Sequence, residues 1–299
     1  MPAELAALAA ETPTPGIVER VLALKALPDL ADQQPDDLAT LARAATPRRV
    51  ARGASLPVGR SLHFLVDGAV RELHRGDAAT RWDAPSALGL LEALAGVDPP
   101  EHVAEVESTT LEIARSALVE VLEEQFELWR AFLRPVCRAL LRGDDTTWVA
   151  GAEAGGRGVT LSPPIELADR IALLRAAPPF ERLRVYPLAQ LAAEMEPVEL
   201  EAGSLLWEPQ DPARHVLLIA EGVLRLKAHG GSIELGPGRI VGLAEALSAR
   251  CYGLGAKVLS PLRALRLDAE SLVDVLEDDA GAAVQLLGAM AREALARSS

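Results

Sequence analysis

The sequence repeats itself, and that duplication constrains the fold more than any other feature. Residues 22–32, LALKALPDLAD, align with residues 172–182, ALLRAAPPFER, at an offset of 150. The offset persists through Leu38/Leu188, Leu41/Leu191, Pro47/Pro197, Gly53/Gly203 and Leu56/Leu206. Four extra residues around Glu208 to Arg214 then lengthen the second copy. Beyond them FLVDGAVR (64–71) pairs with LIAEGVLR (218–225), LGLLEAL (88–94) with VGLAEAL (241–247), and LVEVLEE (118–124) with LVDVLED (272–278). A period this long is one domain written twice.

Each copy follows one plan. A helical stretch comes first, 17–27 and 165–176, then a proline turn at Leu27-Pro28 and Pro178-Pro179-Phe180. A second short helix is expected at 35–45 and 185–195. Strands follow. Val198 to Leu206 alternates and turns at Ala202-Gly203. His215 to Leu226 reads as a hairpin turning at Glu221-Gly222, echoed at Asp67-Gly68. An acidic residue before glycine between apolar runs is a strong short hairpin signal. Gly236-Pro237-Gly238 marks a further turn, and period-2 character returns at Leu262, Ala264 and Leu267. A closing helix is predicted over 116–141 and 269–297. Short, evenly spaced strands with glycine turns predict a mainly β chain with flanking helices, folded as two tandem β-rolls of jelly-roll type. The predicted domains are 17–142 and 165–299. The Gly- and Pro-rich segment 143–164 links them, and its Trp148 is expected to dock on one of the two. About 30 residues follow Leu267, enough for a helix and a tail but short of a winged helix.

Composition narrows the function. The net charge of −13 argues against a nucleic-acid binder, which needs a basic face to displace counterions. The densest basic cluster, Arg48-Arg49 with Arg52, reads as strand-surface decoration. Hydrophobic residues make up 49% but aromatics only 3%, so aliphatic side chains must fill the cores. The two cysteines, Cys137 and Cys251, form no CxxC pair, which disfavours structural zinc and suits a reducing compartment. The stretch MPAELAALAAETPTPG lacks a basic region and carries Glu4 and Glu11, unlike a signal peptide. No apolar run approaches the ~18 residues of a membrane span. A soluble cytoplasmic protein, without membrane insertion, is the expectation.

The order of elements resembles the cyclic nucleotide-binding domain family, the β-roll sensor of catabolite activator proteins, protein kinase A regulatory subunits and gated channels. In the second copy the resemblance rests on Pro178 to Phe180, Gly203, Ile219 to Leu226, Leu235-Gly236-Pro237-Gly238 and Gly242. The first copy keeps Leu27-Pro28, Gly53, Asp67-Gly68 and Gly89, with Asp83-Ala84-Pro85 where the Gly-Pro-Gly turn would be. The resemblance implies a phosphate-binding cassette, approximately Gly-Glu-x-Ala-Leu, a loop, then Pro-Arg-x-Ala. Its glutamate holds the ribose and its arginine meets the cyclic phosphate, because a buried monoanion needs a cation or several N–H donors. Here Leu243 follows Gly242, and the glutamate comes later, at Glu245. Tyr252 stands in the arginine's place, with Arg250 two residues away. In the first copy Pro100 stands there, flanked by Asp98 and Glu101. Both cassettes read as degenerate. If a ligand shell survives, its residues are Gly242, Glu245, Ala246, Leu247, Arg250 and Tyr252.

Other chemistry finds little support. Glu92 and Glu245 read either as ribose ligands or as surface and cap residues of a helical turn, and Tyr252 either as a ligand contact or as a half-buried loop residue. The histidines, His63, His74, His102, His215 and His229, include no HxH pair, so a cupin-like metalloenzyme is a remote alternative and no metal site is expected. Cys137 reads as inert core, Cys251 as exposed, and no catalytic set is assigned. Phe126, Trp129 and Phe132 lie at helical spacing with Leu133, Val136 and Leu140. They read either as packing or as a surface for a protein partner or homo-oligomer. Pro135 should bend or interrupt that helix. The sequence therefore points to a non-catalytic regulatory or scaffolding protein without a cofactor. A genuine cyclic nucleotide receptor acting through the second copy is the alternative.

Overall fold

The computed structural model describes residues 15–73, 79–98, 100–141, 149–150, 165–228 and 231–298. Of these, the residues within Met1–Ala93 and Val97–Val121 form one compact unit, and those within Leu94–Gly96 and Leu122–Ser299 a second. The first copy runs α1 Ile17–Lys25, α2 Pro35–Ala44, β1 Thr46–Val50, β2 Ser55–Leu56, β3 Ser61–Asp67, β4 Ala69–Leu73, β5 Ala79–Asp83, β6 Ser86–Leu88, α3 Leu90–Ala95, β7 Glu101–Ala104, β8 Ser108–Ala114, α4 Arg115–Glu124 and α5 Phe126–Leu140. The second runs β9 Val149–Ala150, α6 Leu167–Ala176, α7 Val185–Glu194, β10 Glu196–Leu200, β11 Leu205–Trp207, β12 His215–Glu221, β13 Leu224–Ala228, β14 Gly231–Leu235, β15 Ile240–Val241, α8 Leu243–Leu247, β16 Gly255–Val258, β17 Leu262–Asp268, α9 Ala269–Asp278 and α10 Ala280–Ser298.

The fold is mainly β with flanking helices, and the two copies share one strand order apart from the added β9. One roll has sheets ordered β1-β8-β3-β6 and β2-β7-β4-β5. The other has β10-β17-β12-β15 and β11-β16-β13-β14, with β9 added beyond β15. All pairings among the named strands are antiparallel. Even the irregularity repeats: the register slips between Leu65 and Asp67 in β3 and between Ile219 and Glu221 in β12. Glycine is required just after each slip. Gly68 and Gly222 have φ of +100° and +88°, and a Cβ on Gly222 would come within 2.3 Å of the Pro261 carbonyl oxygen. Of the segment 143–164, the structure describes β9, which pairs with β15; Trp148 lies outside the described residues.

A guanidinium clasp fixes the leading helices in each copy. Arg20 donates from Nη1 to the Ala45 carbonyl at 2.9 Å and from Nε to that of Pro15 at 2.9 Å. Arg170, at the same offset of 150, donates to Met195 at 2.7 Å and to Ile165 at 3.2 Å. A cation on the otherwise unpaired carbonyls at a helix C-terminus is favourable twice over, as donor and as charge against the helix dipole.

The predicted closing helix is two helices in each copy. The breaks fall at Gln125 and Asp279, with φ/ψ of −128°/90° and −126°/86°. Asp279 then caps α10, accepting from the Ala282 amide at 2.8 Å. Pro135 neither ends nor interrupts α5, which continues to Leu140. The lost hydrogen bond is outweighed by a face on which Leu128, Trp129, Phe132, Val136, Cys137 and Leu140 are all buried.

Candidate functional site

In the second roll, the cassette starts from Gly242. Its φ of +84° turns the chain from β15 into α8, and a Cβ there would lie 2.9 Å from both the His215 carbonyl oxygen and the Tyr252 ring. Tyr252 fills the space beneath the turn. Its hydroxyl donates to the His215 carbonyl at 2.7 Å, and its ring stacks on Trp207 with centroids 4.1 Å apart and planes 13° from parallel. Trp207 is tied in turn, donating from Nε1 to Leu254 at 2.9 Å. Tyr252 is therefore a core residue, and burial pushes its phenol up to about 12. Leu217, Ile219, Leu224, Leu226, Leu235 and Ala256 complete an aliphatic interior.

The four-residue insertion explains why Arg250 points elsewhere. Gln210 donates its amide to Tyr252 at 2.9 Å, Tyr252 donates to Asp211 at 2.9 Å, and Ala213 donates to Arg250 at 3.0 Å. The inserted loop thus holds the Arg250–Tyr252 backbone along its length. Tyr252 faces inward, while Arg250 is exposed and lines an open groove with Arg214, Asp268, Glu270 and Asp274. The sequence showed the insertion but not what it pairs with.

Glu245 is neither a surface residue nor a cap. It is fully buried, as are Leu243 and Ala244, and Ala246 is nearly so; Leu247 is half-buried. α5 packs on α8, and Cys137 of α5 feels both the Glu245 carboxylate and Arg250. Burial, reinforced by Glu245, pushes the Cys137 thiol up to about 12. The aromatic stripe of α5 is likewise covered within the second unit. Trp129 is buried and donates from Nε1 to Ala283 of α10 at 2.8 Å, Phe132 is buried, and half-buried Phe126 stacks on Trp129 at 4.9 Å. Of the two readings of these rings, packing or a partner surface, Trp129 and Phe132 are buried by packing within this unit.

The first roll has a different interior. Matched cross-strand pairs make the comparison direct. Glu72/His102 stands where the second roll has Leu226/Ala256. Leu65/Thr110 replaces Ile219/Ala264, and His63/Glu112 replaces Leu217/Arg266. Val70/Trp82 replaces Leu224/Leu235. Side chains two apart on a strand share a face, so His63 points inward with Leu65, a member of the small apolar cluster of Leu56, Val58, Leu65, Val70, Leu88 and Ala104.

These polar groups are organised. Trp82 donates from Nε1 to Glu72 Oε2 at 2.9 Å. His102, 2% exposed, sets Nδ1 2.9 Å from the Pro100 carbonyl oxygen and Nε2 3.8 Å from the same Glu72 Oε2. Glu92 of α3 lies within electrostatic reach of Glu72 and His102. Burial raises its carboxyl above the ordinary range, Glu72 adds to this, and His102 opposes it. His63, also 2% exposed, has Nδ1 3.4 Å from Thr110 Oγ1. Burial lowers the His63 imidazole below its ordinary value. Burial alone would raise the Glu112 carboxyl, but hydrogen bonds from Ser61 and Arg48 hold it low. Among the described residues, no three His, Cys, Asp or Glu side chains converge as a metal would require, and no helix is long and apolar enough to cross a membrane.

Residues 197–279 match the cyclic nucleotide-binding domain family. The match runs from β10 to the end of α9 and so takes in the second roll. No curated protein matches the chain. Among solved structures, a cyclic nucleotide-binding-like protein from Brucella abortus is 24% identical over 36% of this chain and 98% of its own, with a TM-score of 0.33. The N-terminal domain of a transcriptional regulator from Streptomyces coelicolor is 26% identical over 42% and 92%, with a TM-score of 0.38. The regulatory domain of Toxoplasma gondii protein kinase A, crystallised with cAMP, is 12% identical over 93% and 97%, with a TM-score of 0.34.

The two rolls differ in what stands at this turn. In the second, the ring of Tyr252 lies under Gly242 and Arg250 is exposed. In the first, Glu92 of α3 lies within electrostatic reach of Glu72 and His102, and Arg115 donates from Nε to the Ala93 carbonyl of α3 at 2.7 Å.

Proposed function

We propose that this chain is a non-catalytic regulatory protein that works through protein–protein contact, with the cyclic nucleotide site of its second roll closed by its own side chains. The repeats, 17–142 and 165–299, serve as the two recognition modules, and the partner is another protein or a second copy of the chain. The Trp207–Tyr252 stack beneath Gly242 carries this reading. It is a buried aromatic pair in the place of a ligand, anchored by hydrogen bonds to Leu254 and His215. Support also comes from the insertion, which holds Arg250 away from the turn. The cysteines, one buried and one exposed and both unpaired, suit the cytoplasm.

Isothermal titration with cAMP and with cGMP tests the closed site. No heat up to high micromolar ligand is expected. Saturable binding that is lost in Arg250→Ala would establish a cyclic nucleotide receptor instead. Light scattering of the purified chain separates a homo-oligomer from a monomer that awaits a different partner.

A further inference from the structure

We propose that the outer face of the β2-β7-β4-β5 sheet is a docking groove for an acidic, extended segment of a partner protein, gripped by Arg52, Arg71 and Arg81.

The groove is built on an unfavourable pair. Arg71 of β4 and Arg81 of β5 stand directly opposite one another across the antiparallel ladder, and like charges at opposed positions destabilise a sheet. The second roll holds the ordinary solution at the matched register, Arg225 opposite Glu234, with Arg225 Nη2 donating to Glu234 Oε1 at 2.7 Å. Arg81 in the place of that acid turns an ion pair into two cations. The roll architecture does not ask for this, since the sibling sheet has the same strand order without it.

One carboxylate is shared between the two guanidiniums. Glu105 accepts from Arg71 Nε at 2.6 Å and lies 3.2 Å from Arg81 Nη1. Asp83, at the margin, accepts from Arg81 Nη2 at 2.9 Å. The Glu105 side chain is only 16% exposed, whereas those of Arg71 and Arg81 are 53% and 61% exposed. The acid is thus a strut that orients two forks whose outer edges meet solvent. Arg52, in the turn between β1 and β2, is a third exposed guanidinium, without an ion pair among the described residues. The second roll has Ala202 at that offset. The cavity lined by these groups has a volume of about 550 Å³ and includes Leu73, Val103 and Val106. Leu73 and Val106 are large apolar side chains left exposed.

This lining selects a chemical class. Three guanidiniums face one carboxylate, in a chain whose net charge is −13, so the groove attracts anions where the molecule as a whole repels them. A lone phosphate is best held by donors that converge on one point. Here the donors are spread along an open sheet face with aliphatic side chains among them. An extended segment that turns both carboxylates and aliphatic side chains to one face matches both features. This inference rests on the regulatory reading and names the chemistry of the partner. Calorimetry with cyclic nucleotides tests that reading and peptide binding tests this one, so the two fail separately.

The test is fluorescence anisotropy of the full chain with a labelled peptide, Glu-Glu-Leu-Leu-Glu-Glu-Leu-Leu-Glu-Glu, which as a strand shows Glu and Leu alternately on each face. Saturable binding is expected, weakening as salt approaches ~1 M and the screening length shortens to about 3 Å. Arg81→Glu, which copies the second roll, should weaken it about tenfold or more. Arg52→Gln, on a turn and outside the Glu105 network, should weaken it as well, and Lys257→Gln on the second roll should not. The same peptide with Gln for every Glu should not bind. Absence of saturable binding overturns the proposal. So does binding that survives both arginine variants, or equal binding of an oligothymidylate of the same charge, which would assign the groove to nucleic acid. A mass in light scattering that falls in Arg81→Glu would assign it to a second copy of the chain and is equally fatal. Should Arg81→Glu fail to fold, Arg52→Gln decides: unchanged affinity there overturns the proposal.

Discussion

Tyr252 and Trp207 stack 4.1 Å apart beneath Gly242, and each is anchored at its polar end to backbone, Tyr252 at His215 and Trp207 at Leu254. Truncating such a buried ring leaves a cavity. Trp207→Ala is expected to cost about 3–5 kcal/mol. Tyr252→Phe keeps the stack and loses only the bond to His215, about 1 kcal/mol. Urea unfolding, read as a change in midpoint at constant slope, separates the two. Equal losses would mean that the stack adds nothing beyond the hydroxyl.

Gly203 and Gly242 form a matched pair for backbone strain. Both have positive φ, +93° and +84°, but a Cβ on Gly203 meets nothing within 4 Å whereas one on Gly242 meets the His215 carbonyl and the Tyr252 ring. Gly203→Ala should cost about 1 kcal/mol from the left-handed backbone alone. Gly242→Ala should cost clearly more, and it should perturb the near-ultraviolet circular dichroism of the Trp207–Tyr252 pair. A smaller loss at Gly242 than at Gly203 would show that α8 yields easily.

Burial depresses the His63 imidazole below its ordinary 6.5. The native fold resists protonation of His63 relative to the unfolded chain, which takes up the proton near 6.5. The stabilising contribution is therefore full above that pH and is lost as the pH falls from 6.5 toward the native value. His63→Leu, the residue at the matching site of the second roll, should flatten this part of the stability–pH curve. Glu92 has the opposite sense. Its raised carboxyl favours the native state below its unfolded value near 4.5, and that advantage disappears as the pH rises through the native value. Glu92→Gln should thus be more stable than wild type at neutral pH. Thermal unfolding across pH 4 to 8 measures both, and parallel curves for wild type and variants would contradict both.

Trp129 is buried against α10 and donates to Ala283. Trp129→Glu should cost at least about 3 kcal/mol, the lower range for losing a buried large aromatic, with a buried charge added. Circular dichroism on heating should show early loss of helix. A variant that melts like the wild type but changes mass in light scattering would restore the association surface.

The two thiols should separate chemically. Cys251 is exposed, and Cys137 is buried with its thiol at about 12. Ellman's reagent should titrate one thiol quickly in the native protein and the second only on unfolding. Rapid reaction of both would place Cys137 in reach of solvent.

Much of the fold was legible because duplication is a comparison the chain makes with itself. Gly53/Gly203 and Gly242 reported turns, and Asp67-Gly68 and Glu221-Gly222 reported hairpins. What the sequence hid depends on direction in space. Spacing cannot tell that Gln125 and Asp279 break their helices, since both sit inside apolar periodicity. Nor can it tell that Glu245 is inside, because glutamate in a short turn reads as surface until α5 is seen to cover it. The interior of the first roll was missed for a related reason. Glu72, His102 and Trp82 look ordinary along the strand, and only cross-strand register brings them together. One signal was available: at the aligned offsets, Glu72 and His102 face Leu226 and Ala256.

That register has a practical consequence. Four cross-strand pairs of one roll, His63/Glu112, Leu65/Thr110, Val70/Trp82 and Glu72/His102, have natural counterparts at the same register in the other, within a single polypeptide and under identical conditions. Exchanging such pairs tests a polar interior against an aliphatic one without borrowing any residue from another protein. The duplication thus supplies the molecule with its own isogenic control.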